Sequence, residues 1–451
     1  MRMPQTAMVH KNTKTNIRDG VVMTTISLVA LAIFCHFTGF SLLIPFLVFI
    51  IGLHLFFYKK IKGTTYVHLV LLLVLMMAGA QLLKSSPALS VYYLPVAALP
   101  MMVMLLFGDV QLSLLMAFLG SAICGLQVDF SLSEMIVFFI AGMVGVYKVK
   151  EARTRGVLIK AGLWVALIQV IGFLLINPLI NKDICLYILK PLLIGGFASA
   201  LILMATSKIF ETIFGEITNF TLLELSDTAH PLLKKLLIEA PGSYHHSMVV
   251  ANLSEAAADA IGANALLTRV GAYYHDIGKT VKPLYFTENQ QALGNKHDAL
   301  EPSMSRLVIL NHIKEGVELA QQYKLNRKLV DFIPEHHGTS IIHYFYQKAV
   351  AEAGNEEVDE ENFRYPGPKP QTKETAIVML ADSAEGATRS LGDFTPLRIE
   401  EMVRKVINNK FIDGQLDECN LTLREIEAIA ASFTRVLTAM YHSRIKYPDQ
   451  K

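Results

Sequence analysis

Up to about residue 207 the chain is a succession of apolar runs with almost no polar face. From Phe220 onward, apolar and charged residues alternate at helical spacing instead. Eight apolar segments can be drawn in the first part, at 21–39, 41–58, 65–83, 92–107, 110–126, 131–147, 156–176 and 186–207. A helix needs about 20 apolar residues to cross the hydrocarbon core, so the fourth and fifth are short. They are either tilted differently or a re-entrant pair. The stretch Val67–Ala78 (VHLVLLLVLMMA) lacks the polar face that a helix of a soluble bundle would show. Arg2, Lys11, Lys14 and Arg18 precede the first run in the manner of a signal peptide. No small-residue cleavage site follows, however, so 21–39 reads as a retained helix.

The second part reads as helices throughout. Residues 221–239 form an amphipathic stretch that Pro231 breaks in two. Pro241-Gly242-Ser243 turns into a helix of about 20 residues, and further helices fit at 264–278, 302–324, 326–337, 340–354, 372–390, 396–410 and 421–441. No stretch sustains period-two alternation. The fold class is therefore all-α: an N-terminal polytopic transmembrane helix bundle followed by an all-helical soluble domain. The expected divisions are a cytoplasmic segment at 1–20, a bundle of about eight helices at 21–207, and a cytoplasmic domain at 208–451. Between 356 and 373, Pro366, Pro368 and Pro370 exclude a helix. A connection that long inside a compact domain is uncommon; it is either a rim over a site or plain disorder.

Charge sets the orientation. Lys59, Lys60 and Lys62 follow the second segment, and Lys148, Lys150, Arg153 and Arg155 follow the sixth, whereas the loop after the fifth carries Asp129 and Glu134. With eight spans, both basic loops and both termini share one side, which the positive-inside rule makes cytoplasmic. The expected location is the bacterial inner membrane. The net charge of +2 averages two unlike halves and points to no nucleic-acid partner; DNA is not expected. Four cysteines without a CxxC pair indicate neither a zinc knuckle nor a disulfide framework. His36, His54, His68 and Lys190 are the ionisable groups within the spans. Each sits near a segment end, where its side chain can reach the interface.

The chemistry lies in the soluble part, where eight of the fourteen histidines fall between positions 245 and 343. His275-Asp276 ends a helix and is followed by Ile277-Gly278-Lys279. His336-His337 is a second adjacent pair, stopped by Gly338. His312 lies mid-helix between these pairs, His246 opens the set, and Asp382 closes it. Five imidazoles and two carboxylates are costly to bury together without a cation. Seven ligands exceed the need of one ion, so two divalent ions bridged by Asp276 are the economical reading. Nitrogen and oxygen donors without thiolate favour manganese or iron over a structural zinc site. Lys279 is placed to bind phosphate or offset developing charge. Arg389, on nearly the same helix face as Asp382, is a weaker phosphate candidate. His245 points away from His246, and His297 and His343 read as surface residues.

This ordered set resembles the HD superfamily of metal-dependent phosphohydrolases. HDIG at 275–278, with PGSYHHSMVVANL, GAYYHDIGK, EHHGTS, FRYPGPKPQTKE and YHSRIKYP at 441–448, is similar to the PgpH-type seven-transmembrane HD proteins. That resemblance covers about residue 40 to the C-terminus. It implies a phosphodiesterase opening cyclic di-AMP to pApA, with Asp276 and Lys279 in the catalytic centre, a cyclic dinucleotide and membrane lipid as partners, and a homo-oligomer left open. Where the family carries a large extracellular domain after its first membrane helix, only a few residues around Thr38–Ser41 separate the first two segments here. Two alternatives stand beside this reading: an HD phosphohydrolase acting on another nucleotide or phosphate ester, and a catalytically silent nucleotide-binding membrane sensor.

Overall fold

A computed structural model describes residues 63–86, 89–127, 131–150, 152–180, 186–290, 294–354 and 357–441, with isolated positions between 25 and 52. The segments at 21–39 and 41–58, the junction at Thr38–Ser41, the basic loop at 59–62 and the motif at 442–448 lie outside the described residues, save for those isolated positions. The chain divides into two compact units, Met1–Phe220 and Thr221–Lys451.

The first unit holds the helices α1 (Gly63–Ser85), α2 (Ala98–Phe107), α3 (Val110–Gln127), α4 (Leu132–Val149), α5 (Arg155–Ile180) and α6 (Leu189–Phe214). They match the third to eighth apolar segments, and α6 runs seven residues beyond 207. Four helices among the described residues are long and apolar enough to cross a membrane, while the segments at 91–107 and 110–126 form shorter apolar helices. Their outward faces are also apolar: Trp164, Leu167, Ile171 and Leu175 on α5 are all exposed. A bundle apolar both inside and outside suits lipid rather than water, and the chain is a membrane protein. Helices α5 and α6 approach closely because Gly162 faces Ala200 and Gly196 faces the Ala166 backbone, where a β-carbon would collide. Glu134 lies in the first turn of α4 rather than in a loop. It is buried because the Tyr92 hydroxyl (2.9 Å) and the Ser133 hydroxyl (2.6 Å) both donate to its carboxylate. His68 stacks on Phe214 near the end of α1.

The second unit is all-helical, and its only β pairing among the described residues is an isolated bridge between Ile341 and Arg364. As expected, Pro231 separates α7 (Asn219–Leu225) from α8 (Pro231–Glu239). Then come α9 (Pro241–Ile261), α10 (Ala265–Tyr274), α11 (Pro302–Gln322), the short α12 (Arg327–Val330) and α13 (Phe332–Glu335), and α14 (His343–Ala353). Last come α15 (Lys373–Arg389), α16 (Pro396–Ile412) and α17 (Leu423–Met440). Proline at the first position starts α9, α11 and α16, where its missing N–H costs nothing. Capping boxes at Thr372 and Thr422 start α15 and α17. Helix α15 is the hub: Ile377, Val378, Leu380 and Ala381 are fully buried against α9, α16 and α17. Each such large aliphatic side chain contributes about 1.5–3 kcal/mol when buried. This packing fixes α9 beside α15 and thereby the histidine and carboxylate they carry.

Two expected helices end differently. The 264–278 helix stops at Tyr274, because Asp276 leaves helical geometry (φ −110°, ψ 14°) and a 3₁₀ turn follows at Ile277–Val281. The 326–337 helix is split into α12 and α13 at Asp331, short of the His336-His337 pair.

Candidate metal centre

Two helix ends and three helices carrying a ligand along their length meet at one point. His246 comes from α9, His275 caps α10, Asp276 follows it, His312 lies within α11, His336 caps α13 with His337 next, and Asp382 lies within α15. Gly338 has φ +55°, the left-handed conformation that turns the chain back immediately after His337. Gly278 supplies the close approach: a β-carbon there would strike the main-chain carbonyl of His312, so α11 could not lie against the HDIG turn.

The structure brings all seven expected ligands together. Donor atoms of His246, His275 and Asp382 lie within 4.8 Å of one another, as do those of His312, His336 and His337, and those of His275, Asp276 and His336. Asp276 joins the two sides. Its Oδ1 lies 3.7 Å from His312 Nε2 and 3.6 Å from His336 Nε2; its Oδ2 lies 3.2 Å from His275 Nε2 and 3.8 Å from His246 Nε2. His246 Nε2 is 2.9 Å from Asp382 Oδ1, and His337 Nδ1 is 4.0 Å from Asp382 Oδ2.

The rings are held by their other nitrogens. Nδ1 of His275 meets the Ala272 carbonyl at 2.6 Å, Nδ1 of His312 the Ile309 carbonyl at 2.5 Å, and Nδ1 of His336 the Phe332 carbonyl at 3.1 Å. A carbonyl only accepts, so each Nδ1 carries a proton, and Nε2 is the nitrogen left to ligate when the ring is neutral. Those three Nε2 atoms and Asp276 Oδ1 are buried without a hydrogen-bond partner, and the Lys279 ammonium faces Asp276 Oδ2. Buried imidazole nitrogens crowded on a buried carboxylate are unfavourable without further positive charge, so the residues present fit divalent metal ions, with the carbonyls of Ala272, Ile309 and Phe332 already orienting three rings. Burial pushes the His336 pKa down to about 3 and lowers those of His312 and His337 as well. Burial would also lower that of His246, but hydrogen bonds to Asp382 and Glu385 outweigh it and raise it to about 10.

Lys279 is part of the cluster: its ammonium lies 2.6 Å from Asp276 Oδ2 and 2.9 Å from Glu288 Oε1. Arg389 is not; it is exposed, and the acid it approaches is Glu385, at 3.9 Å. His343 is exposed, as expected, and His245, beside the buried His246, is exposed as well. His297 corrects the surface expectation. It is buried between Tyr285 and Phe345, with Nε2 2.9 Å from the Tyr285 carbonyl, because residues distant in sequence close over it.

Three neighbours escaped the sequence reading. Glu385, three residues past Asp382 on the same face of α15, meets His246 Nδ1 at 2.6 Å. Glu288 accepts from both Lys279 and the Ser243 hydroxyl. Tyr365, buried, stacks on His337 with centroids 4.2 Å apart. The spacing of Glu385 could have revealed it; nothing local marks the other two. Tyr365 also settles the proline-rich connection. In its described part, the Tyr365 amide donates to the Ser340 carbonyl (2.9 Å) and Arg364 to the Thr339 carbonyl (2.8 Å), so the segment is a fixed rim beside the cluster.

Two family models match this chain: one described as a 7TM receptor with intracellular HD hydrolase, over residues 21–218, and the HD domain, over residues 243–387. Among characterised proteins, the cyclic-di-AMP phosphodiesterase PgpH of Bacillus subtilis (strain 168) is 43% identical over 367 residues, 79% of this chain and 51% of that protein. Its namesake in Listeria monocytogenes is 41% identical over 366 residues, 80% of this chain and 51% of that protein. The chain thus spans about half the length of the curated relatives it matches. The solved HD domain of L. monocytogenes PgpH in complex with cyclic di-AMP is 49% identical, covers 48% of this chain and 100% of its own, and superposes with a TM-score of 0.46.

Proposed function

Since this chain belongs to the family of 7TM receptors with an intracellular HD hydrolase, we propose that it is a membrane-anchored phosphodiesterase that opens cyclic di-AMP to linear pApA. The observation that carries the proposal is the convergence of five imidazoles and two carboxylates, most of them buried, with three Nε2 atoms and Asp276 Oδ1 left without a hydrogen-bond partner. The 43% and 41% identity to two cyclic-di-AMP phosphodiesterases supports the choice of substrate.

His246, His275 and Asp382 would hold one divalent ion, and His312, His336 and His337 a second, with Asp276 shared between them. Manganese and iron suit this donor set. When bound, such ions supply Lewis-acid charge to a phosphate oxygen and make hydroxide available near neutral pH. The chain's own residues do the rest. The carbonyls of Ala272, Ile309 and Phe332 fix three imidazoles in the ligating tautomer. Lys279 keeps a positive charge beside the shared carboxylate, ready to offset charge developing on phosphate. Tyr365 and His337 wall the rim and limit water. Water adds across one P–O3′ bond: phosphorus gains an oxygen, and the 3′ oxygen leaves as an alcohol carrying the proton.

We place the catalytic unit on the cytoplasmic side of a bacterial inner membrane, with residues 1–20 on the same side, the bundle at 21–207 and the HD domain at 208–451. The basic run Lys148–Arg155 supports that orientation. The test is turnover of a nucleotide panel by the purified full chain with Mn²⁺. Cyclic di-AMP should be converted to pApA faster than cyclic di-GMP or a generic phosphodiester, and chelation should abolish turnover. Faster turnover of another member would move the substrate, and a fully metallated protein that hydrolyses none would overturn the proposal.

A further inference from the structure

Two lysines beside the cluster are placed very differently. Lys279 is paired with two carboxylates, Asp276 and Glu288. Lys410, near the end of α16, has its ammonium 2.6 Å from the Ser340 hydroxyl, and among the described residues no carboxylate lies within ion-pair distance of it. The other charges on this side are already spoken for: Arg364 pairs with Asp413 at 2.9 Å and with Glu360, and Lys369 lies 3.8 Å from Asp417.

The position of Lys410 is fixed from several directions. Ser340 is held to the metal-side loop by its own amide, which donates to the His337 carbonyl at 3.1 Å, and its carbonyl receives the Tyr365 amide. The Lys410 carbonyl accepts from the Gln415 amide at 3.0 Å, and the Gln415 carboxamide oxygen accepts from the Thr339 amide at 2.9 Å. The lysine is therefore tied to the strip that carries His337 and to the rim that carries Tyr365. Burial pushes its pKa down, while the fields of Asp382 and Asp413 oppose that and Arg364 adds to it. An ammonium partly withdrawn from water with only a hydroxyl for company is unfavourable unless an anion arrives.

We propose that Lys410 is a substrate-positioning residue whose ammonium takes the second phosphate of a cyclic dinucleotide, the one not undergoing hydrolysis. This rests on the phosphodiesterase reading above and deepens it. A cyclic dinucleotide carries two phosphodiester anions, and the metal centre needs only one of them. The other must be brought to the edge of the same site, where Lys410 is a cation that, among the described residues, has no carboxylate at ion-pair distance. Lys410 thus selects for a ligand with two phosphates over one with a single phosphate.

The test compares wild type with Lys410→Met and Lys410→Arg as full chains in nanodiscs, at matched metal content. Two substrates are used: cyclic di-AMP, with two phosphates, and bis(4-nitrophenyl) phosphate, with one. A charge-assisted hydrogen bond lost from binding predicts that KM for cyclic di-AMP rises roughly 10- to 100-fold in Lys410→Met. In that variant kcat should change little and KM for the single-phosphate substrate should stay at the wild-type value. Lys410→Arg, which keeps the charge, should recover most of the loss. An unchanged KM for cyclic di-AMP, an equal rise for both substrates, or loss of metal from both variants would overturn the inference. Wild type that hydrolyses the single-phosphate substrate but not cyclic di-AMP would instead bring down the proposed substrate.

Discussion

Glu385 Oε2 lies 2.6 Å from Nδ1 of His246, on the side of the ring opposite Asp382, which meets Nε2 at 2.9 Å. The two carboxylates grip one imidazole between them, so Glu385 fixes the orientation of the ring and hence where Nε2 points. It is itself buried.

Glu385→Gln keeps the shape and removes the charge. Outer-shell partners of metal ligands are worth roughly 10- to 100-fold in metal affinity, and a loss of that size is expected on the His246 side. Metal titration of the purified variant checks it; wild-type affinity would show that Glu385 only fills space.

Metal loading should depend on pH through one proton. In the metal-free protein His246 is held protonated up to about pH 10, whereas His312, His336 and His337 are already neutral near pH 7 because burial lowers them. A metal needs the neutral ring. Affinity should therefore rise by about tenfold per pH unit through the neutral range and level off near pH 10. Titrations with buffered Mn²⁺ at three pH values would show the slope, and a flat profile would contradict it.

Gly278→Ala should destabilise the catalytic unit by about 1–3 kcal/mol, the range for overpacking a close contact. The new methyl meets the His312 carbonyl, so it pushes α11 away from Asp276. Thermal unfolding and turnover should fall together; a variant with wild-type Tm and activity would show that the contact relaxes freely.

Orientation rests on the basic runs and the span count. A reporter fused after Lys451 should be active only in the cytoplasm. Periplasmic activity would reverse the topology.

The metal-ligating set was legible because its chemistry is written in adjacent pairs. His275-Asp276 and His336-His337 are unusual dipeptides, and His246, His312 and Asp382 complete them in order. The helices were legible because proline and threonine mark their starts: Pro241, Pro302, Thr372, Pro396 and Thr422 all sit at helix boundaries. What remained hidden depends on contacts between distant residues. His297 is buried because Tyr285 and Phe345 close over it, and Tyr365 is held beside His337 by its amide's bond to the Ser340 carbonyl. The 3₁₀ turn after Asp276 follows from Gly278 resting on α11, which no local propensity encodes.

The central claim is that Asp276 joins two metal ions in a phosphodiesterase. Metal content measured alongside cyclic di-AMP turnover, for wild type and Asp276→Ala, tests it most directly. The account predicts two ions per chain and pApA production in wild type, with most metal and all turnover lost in Asp276→Ala while its helical content is retained. A variant that keeps both ions and hydrolyses cyclic di-AMP at the wild-type rate would contradict it.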